Sequence, residues 1–277
     1  MNIAVLSGKG GTGKTFISTN LANTIPNSTY LDCDVEEPNG RIFFNAKDEM
    51  KTETVYRMIP SIDKDKCNGC RACTEFCQFS ALAFFGDSPM LFPEVCHSCG
   101  GCEKVCPTGA ITEVKSSVGI VEVNKVADLK IVSGLLNIGE ASSIPVINRV
   151  LSEIENTSII DCPPGSACST MESIKKADYC VLVTEPTIFG LHNLKMIVEL
   201  VQLFKIPFGF VINKVEDPNN TMIEDYVKTL GKEVLIKVPF TKEIANKVAS
   251  GMLISDSDSD LRDLFKSLLN KITEEIS

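Results

Sequence analysis

Eight consecutive residues near the start of the chain, Gly8-Lys9-Gly10-Gly11-Thr12-Gly13-Lys14-Thr15, constrain its fold more than any other stretch. They follow a short apolar run, residues 3–6, that reads as a buried strand, and they lead into residues 16–25, which read as a helix. Strand, glycine-rich turn and helix start, in that order, form the setting of a phosphate-binding loop. Gly8, Gly10, Gly11 and Gly13 allow tight turning, so amide N–H groups can point inward at phosphate oxygens. The helix start adds partial positive charge at the same point. In the G-x-x-x-x-G-K-T spacing, Lys14 is the candidate for the β- and γ-phosphates and the Thr15 hydroxyl for Mg²⁺. The backbone from Gly8 through Thr12 to Phe16 is the candidate nucleotide cradle.

The loop holds a second lysine, Lys9, which an ordinary phosphate-binding loop does not need. The pattern K-G-G-x-G-K-T resembles the deviant Walker A motif of the MinD/ParA/Mrp/nitrogenase-iron-protein superfamily. That resemblance implies an α/β fold with a doubly wound, mostly parallel sheet. It also implies an ATPase, slow without its partner, that dimerises around MgATP. Lys9 would then reach across the dimer and stabilise charge on the transferred phosphoryl group, as an arginine finger does.

The chain has 277 residues, enough for one large domain, or for one domain with a small insert. With 36 acidic against 27 basic residues its net charge is −9, and no Lys/Arg run occurs, which argues against a nucleic-acid surface. No apolar run reaches the ~18–20 residues of a membrane span. The N-terminus reads as the first strand and not as a signal peptide, so a cytoplasmic location is expected. Twelve cysteines without an export signal argue against a disulfide framework.

Eight of the twelve lie between Cys67 and Cys106. They form Cys67-x-x-Cys70-x-x-Cys73-x-x-x-Cys77 and Cys96-x-x-Cys99-x-x-Cys102-x-x-x-Cys106-Pro107. This is the doubled run of bacterial two-cluster ferredoxins, in which the fourth cysteine of each run ligates the other cluster. The expected sets are therefore Cys67, Cys70, Cys73 and Cys106 for one 4Fe–4S cluster, and Cys96, Cys99, Cys102 and Cys77 for the second. Gly69, Gly100 and Gly101 leave room for close backbone approach. Gln78 departs from the pattern, since proline often follows the fourth cysteine. Zinc is the alternative occupant of such Cys₄ sets. The clusters should supply much of the folding free energy of this short region.

The remaining motifs follow the α/β pattern. Residues 29–32 read as a strand ending in Asp32-Cys33-Asp34. By the resemblance, Asp34 places the attacking water, and Asp32 is a second candidate for the magnesium shell or an anchor for the loop. The acidic turn at Glu36 and Glu37 is a solvated loop or a switch. Residues 118–124 alternate like an exposed strand, 129–132 read as another, and 141–155 as a helix. Residues 158–161 form an apolar strand ending in Asp161, a Walker B arrangement that faces the magnesium or its water. Residues 179–184, 208–213 and 234–239 read as further strands and 191–204 as a helix. Asn213 is the adenine candidate. The Asn213-Lys214-Val215-Glu216 run is similar to the N-K-x-D guanine reader, and the family resemblance favours ATP.

Residues 261–276 carry one apolar helical stripe, with Asp258 or Asp260 as N-cap. Its mixed polar face (Arg262, Lys266 and Lys271 against Asp263, Glu274 and Glu275) suits core packing better than a membrane surface, so no stable membrane anchor is expected. Cys33, Cys162, Cys168 and Cys180 are expected as buried small hydrophobes. Cys168 has a second reading, an interface cluster, because it follows Asp161 by the offset of a nitrogenase iron-protein ligand. The companion cysteine is absent from residues 136–143.

Together these motifs resemble MinD-superfamily ATPases that carry an inserted small α+β ferredoxin-like domain. Residues 1–56 and 117–277 would form the ATPase domain and residues 57–116 the two-cluster insert. Three functions fit. One is an ATPase whose nucleotide-dependent homodimer couples to electron transfer or metallocofactor chemistry on a protein partner. Another is a cluster carrier or scaffold in cofactor assembly. The third is a MinD-like spatial or regulatory switch with structural or redox-sensing clusters.

Overall fold

The structure, a computed structural model, describes residues 1–45 and 50–276. The chain opens with β1 (Asn2–Ser7), α1 (Lys14–Asn23), β2 (Thr29–Asp32), α2 (Gly40–Phe43) and β3 (Lys51–Ile62). Then come α3 (Ala72–Phe76), β4 (Leu82–Phe85), β5 (Ser88–Leu91), α4 (Gly101–Lys104), β6 (Ile111–Val126) and β7 (Leu129–Leu136). Next are α5 (Ile144–Leu151), β8 (Ser158–Asp161), α6 (Cys168–Ile174), β9 (Tyr179–Thr184), α7 (Ile188–Phe204) and β10 (Phe208–Val215). The chain ends with α8 (Met222–Thr229), β11 (Val234–Pro239), α9 (Lys242–Ala249), α10 (Ile254–Ser257) and α11 (Ser259–Ile276).

The chain divides into two compact units. One comprises Met1–Thr52, Val121–Leu135 and Ile147–Ser277, and the other Glu53–Ile120 and Leu136–Val146. The boundaries fall within β3, β6, β7 and α5. The strands form a sheet in the order β11-β10-β9-β1-β8-β2-β7-β6-β3. From β11 to β7 neighbouring strands run parallel. Only two residues, Ala127 and Asp128, separate β6 from β7, a connection that antiparallel neighbours alone permit.

In the first unit β1, β8 and β9 are buried almost throughout, as parallel strands covered on both faces must be. Phe16, Ile17 and Leu21 of α1 belong to one apolar cluster with Phe265, Leu268 and Ile272 of α11. The rings of Phe16 and Phe265 meet edge to face at 5.8 Å. Each such side chain contributes about 1.5–3 kcal/mol through burial. Leu261, Phe265, Leu268 and Ile272 bury the stripe read from the sequence, whereas Ile276 at its end is 38% exposed. Asp258 is the cap, its Oδ1 accepting the N–H groups of Asp260 and Leu261 at 3.0 and 3.1 Å. Among the described residues no helix is long and apolar enough to cross a membrane.

Several sequence-derived boundaries change. The exposed strand expected at 118–124 is part of the sixteen-residue β6, where Val118 and Val121 are fully buried. The reason is its position inside the sheet, between β7 and β3. The helix expected over 141–155 shortens to Ile144–Leu151, starting beside Pro145. The first helix starts at Lys14, because Gly13 takes the left-handed conformation (φ 89°) and turns the loop directly into it. Cys168 is exposed and not the buried hydrophobe expected, since it opens α6 at the surface; Cys33, Cys162 and Cys180 are buried.

In the second unit β4 and β5 form an antiparallel hairpin. One apolar cluster there consists of Cys73, Leu82 and Ile111, with Ile62, Leu91, Cys102 and Cys106 packed beside it, and Val55, Ala81, Ala110, Val118 and Val146 are buried as well. Few of these groups are large, so burial gives this unit little to set against its chain entropy.

Candidate functional site

The parallel register assembles the first site. Val5 and Asp32 both lie level with Asp161, so the carboxyl ends of β1, β2 and β8 open together, where α/β sheets bind ligands. Lys14, only 6% exposed, pairs with Asp161 Oδ1 and lies 3.7 Å from Asp34 Oδ2. Tyr30 donates its hydroxyl to the second oxygen of Asp161 at 2.8 Å. Burial alone would lower the Lys14 pKa, but Asp161 and Asp34 outweigh it and raise it to about 12. The lysine is therefore a fixed positive charge.

The two other carboxylates differ. Asp32 accepts the Asp34 N–H on Oδ1 (3.2 Å) and the Gly40 N–H on Oδ2 (3.0 Å), contacts that anchor the loop after β2. Complete burial, helped by neighbouring Asp161, pushes its pKa up to about 8. Asp34, 21% exposed, is pushed up to about 6 by burial against the pull of Lys14. One ammonium among three carboxylates, with the half-buried Thr15 beside them, is a donor set for a phosphate and a divalent cation.

The loop is braced from behind. Asn213 Nδ2 donates to the Thr12 carbonyl at 2.8 Å, and a Cβ on Gly13 would lie 2.1 Å from that nitrogen. The amide donor of the adenine candidate is thus committed to the loop. A Cβ on Gly8 would meet the Asn193 backbone at 2.3 Å. Gly10 has neither a positive φ nor a neighbour within 4 Å, so nothing within the chain requires glycine there. The Phe16 side chain lies in the core, which leaves only its backbone for the cradle. Thr12 Oγ1 is buried without a hydrogen-bond partner, a polar orphan at the mouth of the loop that a nucleotide oxygen would satisfy.

Lys9 is not free. Its Nζ pairs with Glu185 Oε2 at 2.8 Å, and Lys214 Nζ takes the other oxygen at 2.7 Å while donating to the Gly11 carbonyl at 2.6 Å. Burial would raise the Glu185 pKa, but its hydrogen bonds from Lys214 and Lys9 hold it below the usual range. Tyr30 and Glu185 escaped the sequence reading, and Lys214 entered it only as part of the Asn213–Glu216 run. Only the position of Glu185, just past an apolar strand and before Pro186, hinted at it.

In the second unit the cysteines gather around two cavities. Cys67, Cys70, Cys73 and Cys106 line one, and Cys77, Cys96, Cys99 and Cys102 the other. The two halves share a backbone template. Gly69 and Ser98, Arg71 and Gly100, and Ser80 and Gly109 stand at equivalent offsets from their cysteines, all with positive φ. Ala81 N–H donates to Cys77 Sγ and Ala110 N–H to Cys106 Sγ, each at 3.3 Å. A Cβ on Gly101 would lie 2.0 Å from the ring of the exposed Phe76, which would have to move aside. Burial pushes the Cys102 thiol up to about 11 and raises Cys73 as well. For Cys106, hydrogen bonds led by Thr108 overcome that burial and lower it. Four cysteines lining each cavity, with an amide N–H donor on one sulfur of each set, suit a multi-iron cluster better than a single ion, because among the described residues no three ligating side chains are grouped to hold one metal ion.

The sequence matches the CobQ/CobB/MinD/ParA nucleotide binding domain over residues 3–254. It is 32% identical to an uncharacterized protein of Methanocaldococcus jannaschii, covering 99% of this chain and 97% of that one. An uncharacterized ferredoxin of the same organism is 39% identical over 57 residues, 20% of this chain and 92% of its own. The structure is similar to that of the Pyrococcus furiosus cell division ATPase MinD, with a TM-score of 0.59 at 16% identity, covering 99% of this chain and 98% of that one. The chain belongs to the CobQ/CobB/MinD/ParA nucleotide binding domain family of P-loop NTPases.

Proposed function

We propose that this chain is a Mg²⁺-dependent ATPase that closes as a homodimer around ATP and couples that closure to electron transfer through two 4Fe–4S clusters to a protein partner. The observation that carries the reading is the gathering of eight cysteines around two four-thiol cavities in a chain that also buries Lys14 of its glycine-rich loop against Asp161. The cysteine-bearing unit is read as a ferredoxin-like insert at about residues 57–116, the rest as the ATPase domain. Lys14 and the Gly8–Thr15 amides hold the phosphates, and Thr15 and Asp161 the metal. Asp34 positions the attacking water, and its raised pKa of about 6 suits a group that accepts a hydrogen bond from it. Lys9 exchanges Glu185 for the partner protomer's nucleotide. Each cluster, when bound, supplies one-electron transfer.

Cys70 and Cys99, one thiol of each set, are exposed, which favours a cluster carrier as the second reading. Anaerobically purified protein should contain roughly eight iron and eight acid-labile sulfide per chain. Zinc without sulfide would contradict the cluster assignment. Clusters that stay bound through redox cycling support electron transfer; rapid passage to an apo-acceptor supports the carrier.

A further inference from the structure

Among the described residues the buried charged side chains are Lys14, Asp32, Arg57 and Asp161. Three of them form the nucleotide site. Arg57, on β3, is the exception, and a buried guanidinium is costly unless paired. Its NH1 donates to the Cys96 carbonyl and its NH2 to the Pro93 carbonyl at 2.8 Å. NH2 also forms an ion pair with Glu140 Oε2 at 2.9 Å that lacks hydrogen-bond alignment, and among the described residues neither that oxygen nor Arg57 Nε has a hydrogen-bond partner. The positive end of this pair is thus turned toward a cysteine of the second set. Among the described residues the first cavity has no such group in its wall. The charged side chain in its wall, Arg71, is exposed and lies over the Phe84 ring at 4.7 Å.

Two four-thiol sites on one backbone template should hold clusters of similar potential unless their surroundings differ. Net charge and hydrogen bonding around the ligands set that potential. Fixed charge within the protein interior acts with little screening. Glu113, in the wall of the second cavity, carries the opposite sign but is more exposed than Arg57.

We propose that Arg57 makes the two cluster sites unequal: it raises the reduction potential at Cys77, Cys96, Cys99 and Cys102 above that at Cys67, Cys70, Cys73 and Cys106. A single electron, taken from a low-potential one-electron donor without proton transfer, then resides at the second site. Arg57 acts through Cys96 and is a positioning residue. The inference rests on the cluster reading of the proposed function.

The test is an anaerobic EPR titration of the holoprotein with dithionite as donor, the two couples assigned through the line-shape change in C99S. The second site should hold the first electron with about tenfold preference, equivalent to about 59 mV for a one-electron couple. R57Q should abolish that preference by lowering the second couple alone, whereas R57K, which keeps the charge, should retain most of it. E140Q removes the counter-charge and should move the second couple upward, which tests the idea even if R57Q binds fewer irons. Equal couples in the wild type, or R57Q and R57K shifting alike, or no rise in E140Q, would overturn the role of Arg57. Protein lacking iron and sulfide would instead overturn the cluster reading itself.

Discussion

Lys14 and Asp161 neutralise each other. Asp161 is fully buried, so Lys14→Ala leaves a carboxylate without a counter-charge. A loss of about 3–5 kcal/mol is expected, visible in urea unfolding and largely recovered in K14A/D161N. Asp34 gives a pH signature. Its folded pKa, about 6 against a usual 3.8, means that its stabilising contribution is complete below about pH 4 and lost as pH rises through about 6. Asp34→Asn should flatten that part of the Tm-against-pH curve; an unchanged slope would contradict the assignment. Glu185 ties Lys9 to its own protomer, so Glu185→Gln should allow MgATP-driven dimerisation at about two- to fivefold lower protein concentration, the scale of a partly exposed ion pair. Sedimentation with and without MgATP would measure it. The spacing of Lys14, Thr15 and the cysteines made them legible in the sequence. The roles of Glu185, Lys214, Tyr30 and Arg57 were not legible, because each acts through a contact with residues far along the chain, and no local pattern encodes such a contact.

Elements were legible where one physical demand dominates a stretch. β8, β9 and β11 are short apolar runs that a covered parallel sheet requires, and their limits match the sequence reading. The α11 stripe was readable for the same reason. β3 was not foreseen, since most of its twelve residues are exposed or half-buried and its pattern carries no clear period. The β4–β5 hairpin was hidden by the cysteine spacing around it. The second unit buries few large apolar side chains, so bound clusters would supply much of its folding free energy. Removing metal with a chelator under reducing conditions should therefore melt this unit first, with hydrogen exchange rising across Ala72–Phe76, Leu82–Leu91 and Gly101–Lys104 while β1, β8 and β9 stay protected. Uniform loss of protection in both units would contradict independent cores.

At the scale of the whole molecule, a family nucleotide site and eight gathered cysteines occur in one chain, in separate compact units. The sequence reading assigned residues 57–116 to the insert, whereas the second compact unit comprises Glu53–Ile120 and also takes in Leu136–Val146. That returning segment carries Glu140, the partner of Arg57, and a contiguous reading of the chain had no signal for it. The central claim is that nucleotide state reaches the clusters. The most direct test is an anaerobic EPR redox titration of the purified holoprotein with and without MgATP. The account predicts a shift in midpoint potential or line shape of at least one cluster on adding MgATP, absent in Lys14→Ala. Superimposable titrations in the wild type, at nucleotide concentrations that drive dimerisation, would contradict it.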